Sequence, residues 1–528
     1  MLQEIESLLQ AMRRTRRLLS LASALMAPVI LPVGITAAKE ASLLTLPPVV
    51  QSAPQQQVAY YDALFTEVDT EGSNPRDGKE ASVDDRLEKL EQQYTDLTKS
   101  YGELDGDYSA LKKKLKNLAT TGHGGSTMKV SGRVNVDHWA FPGTSPAINT
   151  FENKDPTISP QDEFGFRRLR FGVKGNVWKT MVYKIELELA GGNKTEFRDA
   201  YLGWKDIPFL QTVLIGNQKR PYGLDHLNSS RFNVFLERPD VIESINQDSR
   251  RFGIQSYNVS EDQAWNWRYG VFNQRLIQDE GKYVSDHYQM EFAGRLANTF
   301  WYDEASGGRG YGHWAVSGTA ANPDGSGIAG RATNEARFRT RPEGRSLGKW
   351  IDTGAIAGAD NYQMLGVENV WNFGPVQLVG EYQNLWLDRN GAPDLHFHGG
   401  YAYISYFFTG EHMPWNRSRG TLDRIKPVEN FFLVDTGNDG VKGGWGAWQA
   451  AYRWSYADFN DDNIFGGVGQ SHTLGLNWYW NPYARMQFNA IYGEIDDHQG
   501  FDNASPPNSL GNLSGHYTIL GTRLMVDF

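Results

Sequence analysis

Arginines and lysines that alternate with apolar residues are the side chains best suited to chemistry in this sequence. Arg168 and Arg170 stand on either side of Leu169, and Lys184 lies between two apolar residues a few positions later. Alternate residues of an extended strand point to the same face, so these cations can converge on one surface. Guanidinium groups there could hold phosphate or another anion through paired N–H donors.

A second group of charges lies between Asn217 and Arg251. Its positive members are Lys219, Arg220, Arg231, Arg238, Arg250 and Arg251, and its negative members are Asp225, Glu237, Asp240, Glu243 and Asp248. Six positive charges against five negative ones leave this segment almost neutral. Each arginine that alternation points inward, such as Arg168 or Arg170, could bind an anion or form a structural salt bridge, for example with Asp199, and the residues alone leave both open.

No catalytic or metal-binding constellation emerges. Cysteine is absent, and none of the 11 histidines has the H-E-x-x-H spacing of a metalloprotease. His396 and His398 could pair on one strand face, but such a pair is more often a loop or lumen feature. The glycines of Gly307–Gly310 lack the lysine and helix of a phosphate-binding loop, so we interpret them as a turn. We predict neither an enzyme nor a bound metal or cofactor.

Composition excludes several classes of protein. The chain has 528 residues and a net charge of −10, with no long basic block, so we expect no nucleic-acid binding. An aromatic content of 13% is too high for a disordered chain. The mean hydropathy of −0.52 is too low for a bundle of membrane-spanning helices. Extended β structure fits these values best.

Residues 1–38 have the order of a secretory signal peptide. Four arginines between positions 13 and 17 precede the uncharged run Leu18–Gly34, and small residues follow up to Ala38, where we expect cleavage. A single transmembrane anchor is the alternative, although two prolines interrupt the run. The basic region begins so late that translation could start after Met1.

Residues 39–81 are rich in proline, glutamine and acids, which predicts a flexible linker. Residues 82–119 then carry apolar side chains at alternating steps of three and four, the seam of a coiled coil. One isolated helix cannot bury such a seam, so we predict an oligomerising coil, with three strands favoured by the tyrosines at its a positions. A helix folded back on its own domain is the alternative. Residues 120–127 form a second linker.

From residue 128 to 528, apolar and polar residues alternate with a period of two. The clearest run is Ser471–Asn481, in which Leu474, Leu476, Trp478 and Trp480 share one face. We count seventeen such runs, and the two near Gly312 and Glu335 are the weakest. Single-chain bacterial barrels have an even strand number, so we predict about 16 antiparallel strands, with 18 as the next possibility.

A membrane barrel explains this pattern better than a soluble sandwich. Aromatic residues lie near the strand ends, as membrane interfaces require, and the chain finishes with an amphipathic strand that ends in Phe528. Alternation points the following charges into a wet lumen: Lys184, Glu186, Glu188, Arg453, Arg485 and Arg523. Arg167 would face lipid, so we expect it near a strand end.

The chain from about Val130 to Phe528 resembles the phosphate-selective porin O and P family. The stretches that carry the resemblance are Phe166–Gly175, Arg198–Trp204, Gly216–Pro239, Phe407–Pro427, Thr473–Trp478 and His516–Phe528. The resemblance implies a trimer of 16-stranded outer-membrane barrels, each with its third loop, about residues 219–250, folded into the lumen. It also implies anion binding by Lys219, Arg220, Arg168 and Arg170, to which we add Lys184, Arg231 and Arg238 as pore candidates.

We therefore expect an outer-membrane porin of a Gram-negative-type bacterium, surrounded by outer-membrane lipid, with its coiled coil in the periplasm. It would let small anions diffuse passively, with phosphate or polyphosphate as candidate solutes. The alternative is a structural barrel that anchors the coil to the cell wall or to a periplasmic partner. A third hypothesis, a barrel enzyme acting on lipids or a carbohydrate-binding protein, lacks a recognisable nucleophile–base pair.

Overall fold

The computed structural model describes residues 92–96, 98–100, 125–191, 195–247, 249–277, 288–325, 336–431, 444–502, 504 and 508–528. The chain divides into two compact units, residues 1–96 and 97–528. Residues 92–96 of the first unit and 98–100 of the second are helical. The predicted signal peptide and first linker lie outside the described residues, as does most of the predicted coiled coil, so these three remain predictions. No helix among the described residues is long and apolar enough to cross a membrane.

Sixteen antiparallel strands close into a barrel, because the last barrel strand pairs with the first and every other barrel strand pairs with its neighbours in the sequence. They are β1 (Lys129–Thr144), β2 (Glu163–Val177), β3 (Met181–Glu188), β4 (Glu196–Ile207), β5 (Gln211–Lys219), β6 (Arg250–Val259), β7 (Trp265–Asn273), β8 (Met290–Tyr302), β9 (Gly310–Ala321), β12 (Ala359–Phe373), β13 (Val376–Arg389), β14 (Leu395–Phe407), β17 (Ala447–Asp461), β18 (Ile464–Asn481), β19 (Ala484–Phe501) and β20 (Ser509–Asp527). The predicted all-β barrel of about 16 strands is confirmed.

The remaining elements are short and lie between barrel strands. They are the strand pairs β10 (Arg339–Thr340) with β11 (Ile351–Asp352) and β15 (Trp415–Asn416) with β16 (Thr421–Leu422), and the helices α1 (Pro146–Asn153), α2 (Leu224–Leu227) and α3 (Asp240–Asn246). Of the two weak runs, the one near Gly312 is barrel strand β9. In the one near Glu335, the described residues from 336 onward belong to no barrel strand and lead into β10.

Side chains alternate between the outside and the inside of the barrel as their sequence pattern predicts. In β18, Leu474 is 61% exposed on the outer face, whereas Thr473 beside it is 0% exposed and points inward. Trp448 and Trp478 stack on the outer face with ring centroids 5.0 Å apart. The apolar face thus suits hydrocarbon, and the charges are left for the lumen.

A β-bulge changes the orientation of one arginine. In the β1–β2 pairing, Asn135 lies opposite Arg168 and Val136 lies opposite Phe166, so Arg167 is an extra residue without a partner position. Both Arg167 and Arg168 border the interior cavity as a result. The prediction that Arg167 faces lipid near a strand end is wrong, because a bulge shifts the inside–outside alternation by one residue.

Three segments between strands fold into the barrel. The first, the third-loop segment, comprises residues 220–249 and spans the lumen. Its Val234 carbonyl accepts a hydrogen bond from Asn477 Nδ2 of β18 at 2.9 Å, and its Tyr222 carbonyl accepts one from Ser317 Oγ of β9 at 2.8 Å. These two strands lie in different parts of the wall, so the segment crosses the space between them.

The second segment, residues 336–358, follows β9 and enters from the same end as the third-loop segment. Its Trp350 is fully buried and packs on Tyr517 of β20, with ring centroids 5.1 Å apart. The third is the hairpin of β15 and β16, which enters from the opposite end, where both ends of the barrel sequence lie. The Leu422 N–H of this hairpin donates to Asn228 Oδ1 of the third-loop segment at 3.0 Å. The lumen is therefore narrowed from both ends.

Candidate functional site

The candidate site is a cavity of about 840 Å³ inside the barrel. Its walls come from β1 to β7, the third-loop segment, residues 339–349 and the β15–β16 hairpin. Among the described residues, nineteen lysines or arginines border it, against eight aspartates or glutamates. This excess is much larger than the near balance of the third-loop segment, because the strands and the second inserted segment add cations.

Arg170 and Lys184, two of the predicted pore residues, border the cavity as ion-paired side chains. Arg170 lies 2.6 Å from Glu188 and 3.3 Å from Glu186. Lys184 bonds Asp199 and lies 3.3 Å from Glu186. These cations match the salt-bridge alternative, so they hold the strands together and contribute little net positive charge.

Arg168 has fewer hydrogen-bond and ion-pair partners than Arg170 or Lys184. Its Nη2 lies 3.9 Å from Glu237, and its buried Nε and Nη1 atoms have no hydrogen-bond partner among the described residues. Buried donors without partners are rare in proteins, and a bound anion or water would satisfy them. Among the residues predicted from the sequence, Arg168 is the one best prepared for an anion.

The four predicted residues of the third loop differ from one another. Lys219 Nζ donates to the carbonyls of residues 226, 227 and 228 at 2.7, 3.0 and 2.8 Å, and so closes the end of α2. Arg220 is buried beside Glu291 at 2.8 Å and does not border the cavity. Arg231 and Arg238 do border it, paired with Asp527 at 2.7 Å and Glu243 at 3.1 Å. The structure thus brings six of the seven predicted residues to the cavity and leaves Arg220 apart.

Sequence reasoning missed the cations of the second inserted segment. Arg339, Arg341, Arg345 and Lys349 all border the cavity. Within the part of the chain that the structure describes, neither Arg345 nor Lys349 has a carboxylate within 4.0 Å. The alternation of arginine at 337, 339 and 341 is the signal that could have found them, but the run near Glu335 predicts only a weak strand.

Repulsion between neighbouring cations lowers the pKa values of Arg345 and Lys349. The positive charge of Arg167, together with burial, lowers the pKa of Arg345 to about 10. Burial and the positive charges of Arg339 and Arg341 lower the pKa of Lys349 to about 8. Cations whose pKa values are lowered by neighbouring cations mark a region where an added anion is stabilised.

The carboxylate of Glu237 lies close to this group of cations. Arg167 donates to both oxygens of Glu237, each at 2.8 Å, and Arg523 Nη2 lies 2.6 Å from Glu237 Oε1. Burial alone would raise the pKa of Glu237, but the guanidinium groups of Arg167, Arg168 and Arg523 outweigh burial and hold it well below its usual range. Glu237 is therefore an ionised carboxylate in contact with three arginines.

The other predicted lumen arginines also point inward. Arg523 pairs with Asp137 at 2.6 Å, Arg453 pairs with Glu343 at 2.6 Å, and Arg485 donates to the Tyr479 hydroxyl at 3.3 Å. The histidine pair lies elsewhere, on the outer face. His396 and His398 stack with ring centroids 5.2 Å apart and bond Asn384 and Tyr382, respectively. Among the described residues, no group of three or more potential metal ligands is present.

A closed 16-stranded barrel with an apolar exterior, a charged lumen and inward-folded segments defines an outer-membrane porin. The family described as phosphate-selective porin O and P matches residues 147–528, and this chain belongs to that family. It is a channel family, which agrees with the absence of a catalytic constellation in the sequence.

Individual relatives are distant. An uncharacterised protein of Caulobacter vibrioides is 25% identical over 376 residues, which is 69% of this chain and 68% of the relative. Among solved structures, the outer-membrane channel DcaP of Acinetobacter baumannii is 10% identical, with a TM-score of 0.45 over 78% of this chain and 100% of that chain. The anion-selective porin of Comamonas acidovorans is 14% identical, with a TM-score of 0.41 over 76% and 99%.

Proposed function

We propose that this protein is a passive diffusion pore for small anions, with a lumen lined by lysine and arginine. The observation that carries this proposal is the excess of nineteen cationic over eight anionic side chains around the cavity. Low-dielectric walls that enclose charges of one sign focus their field and concentrate counter-ions. Anions should enter such a cavity readily, and cations should be repelled.

The cations differ in what they offer a passing anion. Arg168, Arg345 and Lys349 have donors that no carboxylate of the described residues neutralises at hydrogen-bond distance, so they could contact an anion directly. Arg170 and Lys184 already have carboxylate partners, so they add little to the attraction for an anion. Phosphate and polyphosphate suit the first group because arginine binds phosphate oxygens through paired hydrogen bonds. We therefore include phosphate and polyphosphate among the proposed solutes.

Conductance across a planar bilayer tests the proposed function. In a salt gradient, the reversal potential of the wild-type pore should favour anions. The double variant Arg345→Glu/Lys349→Glu reverses two charges at the cavity, and we expect it to lose most of this preference. Its control is Lys154→Glu/Lys179→Glu, which makes the same change in net charge at two exposed residues away from the cavity. A cation preference in the wild-type pore would contradict the proposal.

We also propose a homotrimer with the coiled coil of residues 82–119 in the periplasm. The heptad seam supports this arrangement, because one helix alone leaves that seam uncovered. Deletion of residues 83–118 should leave the conductance of each pore unchanged. Loss of envelope attachment in the same variant, with conductance kept, would show that the coil also serves as an anchor, the second candidate function.

A further inference from the structure

The carboxylate of Glu237 is bonded to arginine donors that could also bind a free anion. The side chain comes from the third-loop segment, between α2 and α3, and it borders the cavity. Its two oxygens accept three close hydrogen bonds from arginines of the wall, two from Arg167 and one from Arg523. Arg168 Nη2 lies 3.9 Å away. A free carboxylate or phosphate in the pore would seek this same set of donors.

The backbone around Glu237 is fixed independently of its side chain. The Leu236 carbonyl accepts a hydrogen bond from Arg523 Nη1 at 2.6 Å, and the Glu237 carbonyl accepts one from Arg453 Nη1 at 3.1 Å. The neighbouring Val234 carbonyl is held by Asn477 at 2.9 Å. The loop therefore presents the carboxylate without needing the side-chain contacts to stay folded into the lumen.

More cations lie close to this group than it can neutralise. Arg341 and Arg345 border the same cavity, and Arg167 is the first cause of the lowered pKa of Arg345. Glu237 is the carboxylate that contacts both Arg167 and Arg523. Removing its charge would leave Arg167 and Arg168, which border the cavity, without this counter-charge.

We propose that Glu237 is a tethered competitor for permeating anions at the Arg167–Arg168–Arg523 cluster, and that it sets how tightly the pore holds them. This inference rests on the proposed function, because it assumes that anions enter the cavity. The ligands it concerns are small anions with paired oxygens, namely carboxylates and phosphates, which can take both Arg167 hydrogen bonds. With Glu237 in place, such an anion binds weakly and passes. Without Glu237, the same anion would be retained.

The test is block of chloride conductance by inorganic phosphate in planar bilayers, with the full-length protein. For Glu237→Gln we expect the half-blocking phosphate concentration to fall by at least about tenfold, the effect of one charge-assisted hydrogen bond. The matched control is Glu243→Gln, which removes one negative charge from the same segment and the same cavity but lies in a single pair with Arg238. We expect less than about a twofold change there.

Equal changes in the two glutamine variants, or none in Glu237→Gln, would overturn the inference. Because Glu237→Gln could fail to fold, Glu237→Asp provides a second test. The shorter side chain keeps the charge but withdraws the carboxylate from Arg167, so its phosphate block should be intermediate, and block equal to wild type would also contradict us. A wild-type pore that prefers cations would defeat the proposed function, whereas the comparison of variants would still be measurable.

Discussion

The two sides of the lumen use arginine in opposite ways. Along β8 to β19 the interior is filled, and Arg295 and Arg453 there are paired with the buried carboxylates of Glu368 and Glu343. Arg295 is 0% exposed and bonds Glu368, which also accepts a hydrogen bond from His313 at 2.9 Å. Along β1 to β7 the interior stays open, and cations outnumber carboxylates. An inward-pointing arginine is thus structural or functional according to the number of acids around it.

The filled side also buries apolar surface. Ile242 and Phe338, from the two long inserted segments, are at most 1% exposed, and Phe235 lies beneath the Arg453 guanidinium at 4.4 Å. A charge in such surroundings is stable only while its partner remains. The open side does not have this requirement, because water and passing ions can solvate its cations. The comparison predicts that removing a carboxylate from the filled side strongly lowers stability, whereas removing an unpaired cation from the open side changes mainly selectivity.

The largest effect should follow loss of an acid on the filled side. Glu368→Ala leaves Arg295 buried without a counter-charge, which costs about 3–5 kcal/mol of unfolding free energy. Denaturant unfolding in detergent measures this loss. Glu304→Ala is the matched control, since Glu304 pairs with Arg417 in a turn and is 73% exposed. That variant should lose no more than about 0.5 kcal/mol. Similar losses in both variants would show that burial of the Arg295–Glu368 pair does not decide how much it stabilises the barrel.

A smaller effect should separate two neighbours on β2. Arg170→Gln removes the partner of Glu188, so we expect the pore to lose about 1–3 kcal/mol of stability with little change in selectivity. Arg168→Gln removes unsatisfied donors, so stability should change little. The anion-to-cation permeability ratio should fall about two- to fivefold instead, the equivalent of ~0.4–1 kcal/mol. If both variants lose stability and keep the wild-type permeability ratio, the role of Arg168 is structural.

The regular part of this architecture could be predicted from the sequence, because alternation is a local property. Ser471–Asn481 shows its lipid face and its lumen face within eleven consecutive residues. The same rule failed at two places. Arg167 lies in a bulge, which depends on the register with β1 and leaves no mark in its own strand. Residues 337–341 alternate like a strand, but their apolar member Phe338 packs inside the barrel and not against lipid.

The assignment of cations to structure or function could not be made from the sequence. The partners of Glu237 come from strands 70 and 286 residues away along the chain, at Arg167 and Arg523. Lys219 similarly bonds carbonyls whose position depends on the fold of α2. The third loop carries six positive and five negative charges, and most of the cationic excess around the cavity comes from other elements.

The smallest effect should come from pH, on the open side alone. Burial and two neighbouring arginines lower the pKa of Lys349 to about 8, so its ammonium is charged at pH 7 and largely neutral at pH 9. Loss of a positive charge weakens attraction for anions, and the anion preference of the wild-type pore should therefore decrease as pH rises across this interval. Lys349→Arg keeps its charge throughout and should show a flatter profile, measured by reversal potentials in the same salt gradient. A profile that is equally steep in Lys349→Arg would assign the titration to another group. Lys349 would then not belong to the cations that contact the passing anion.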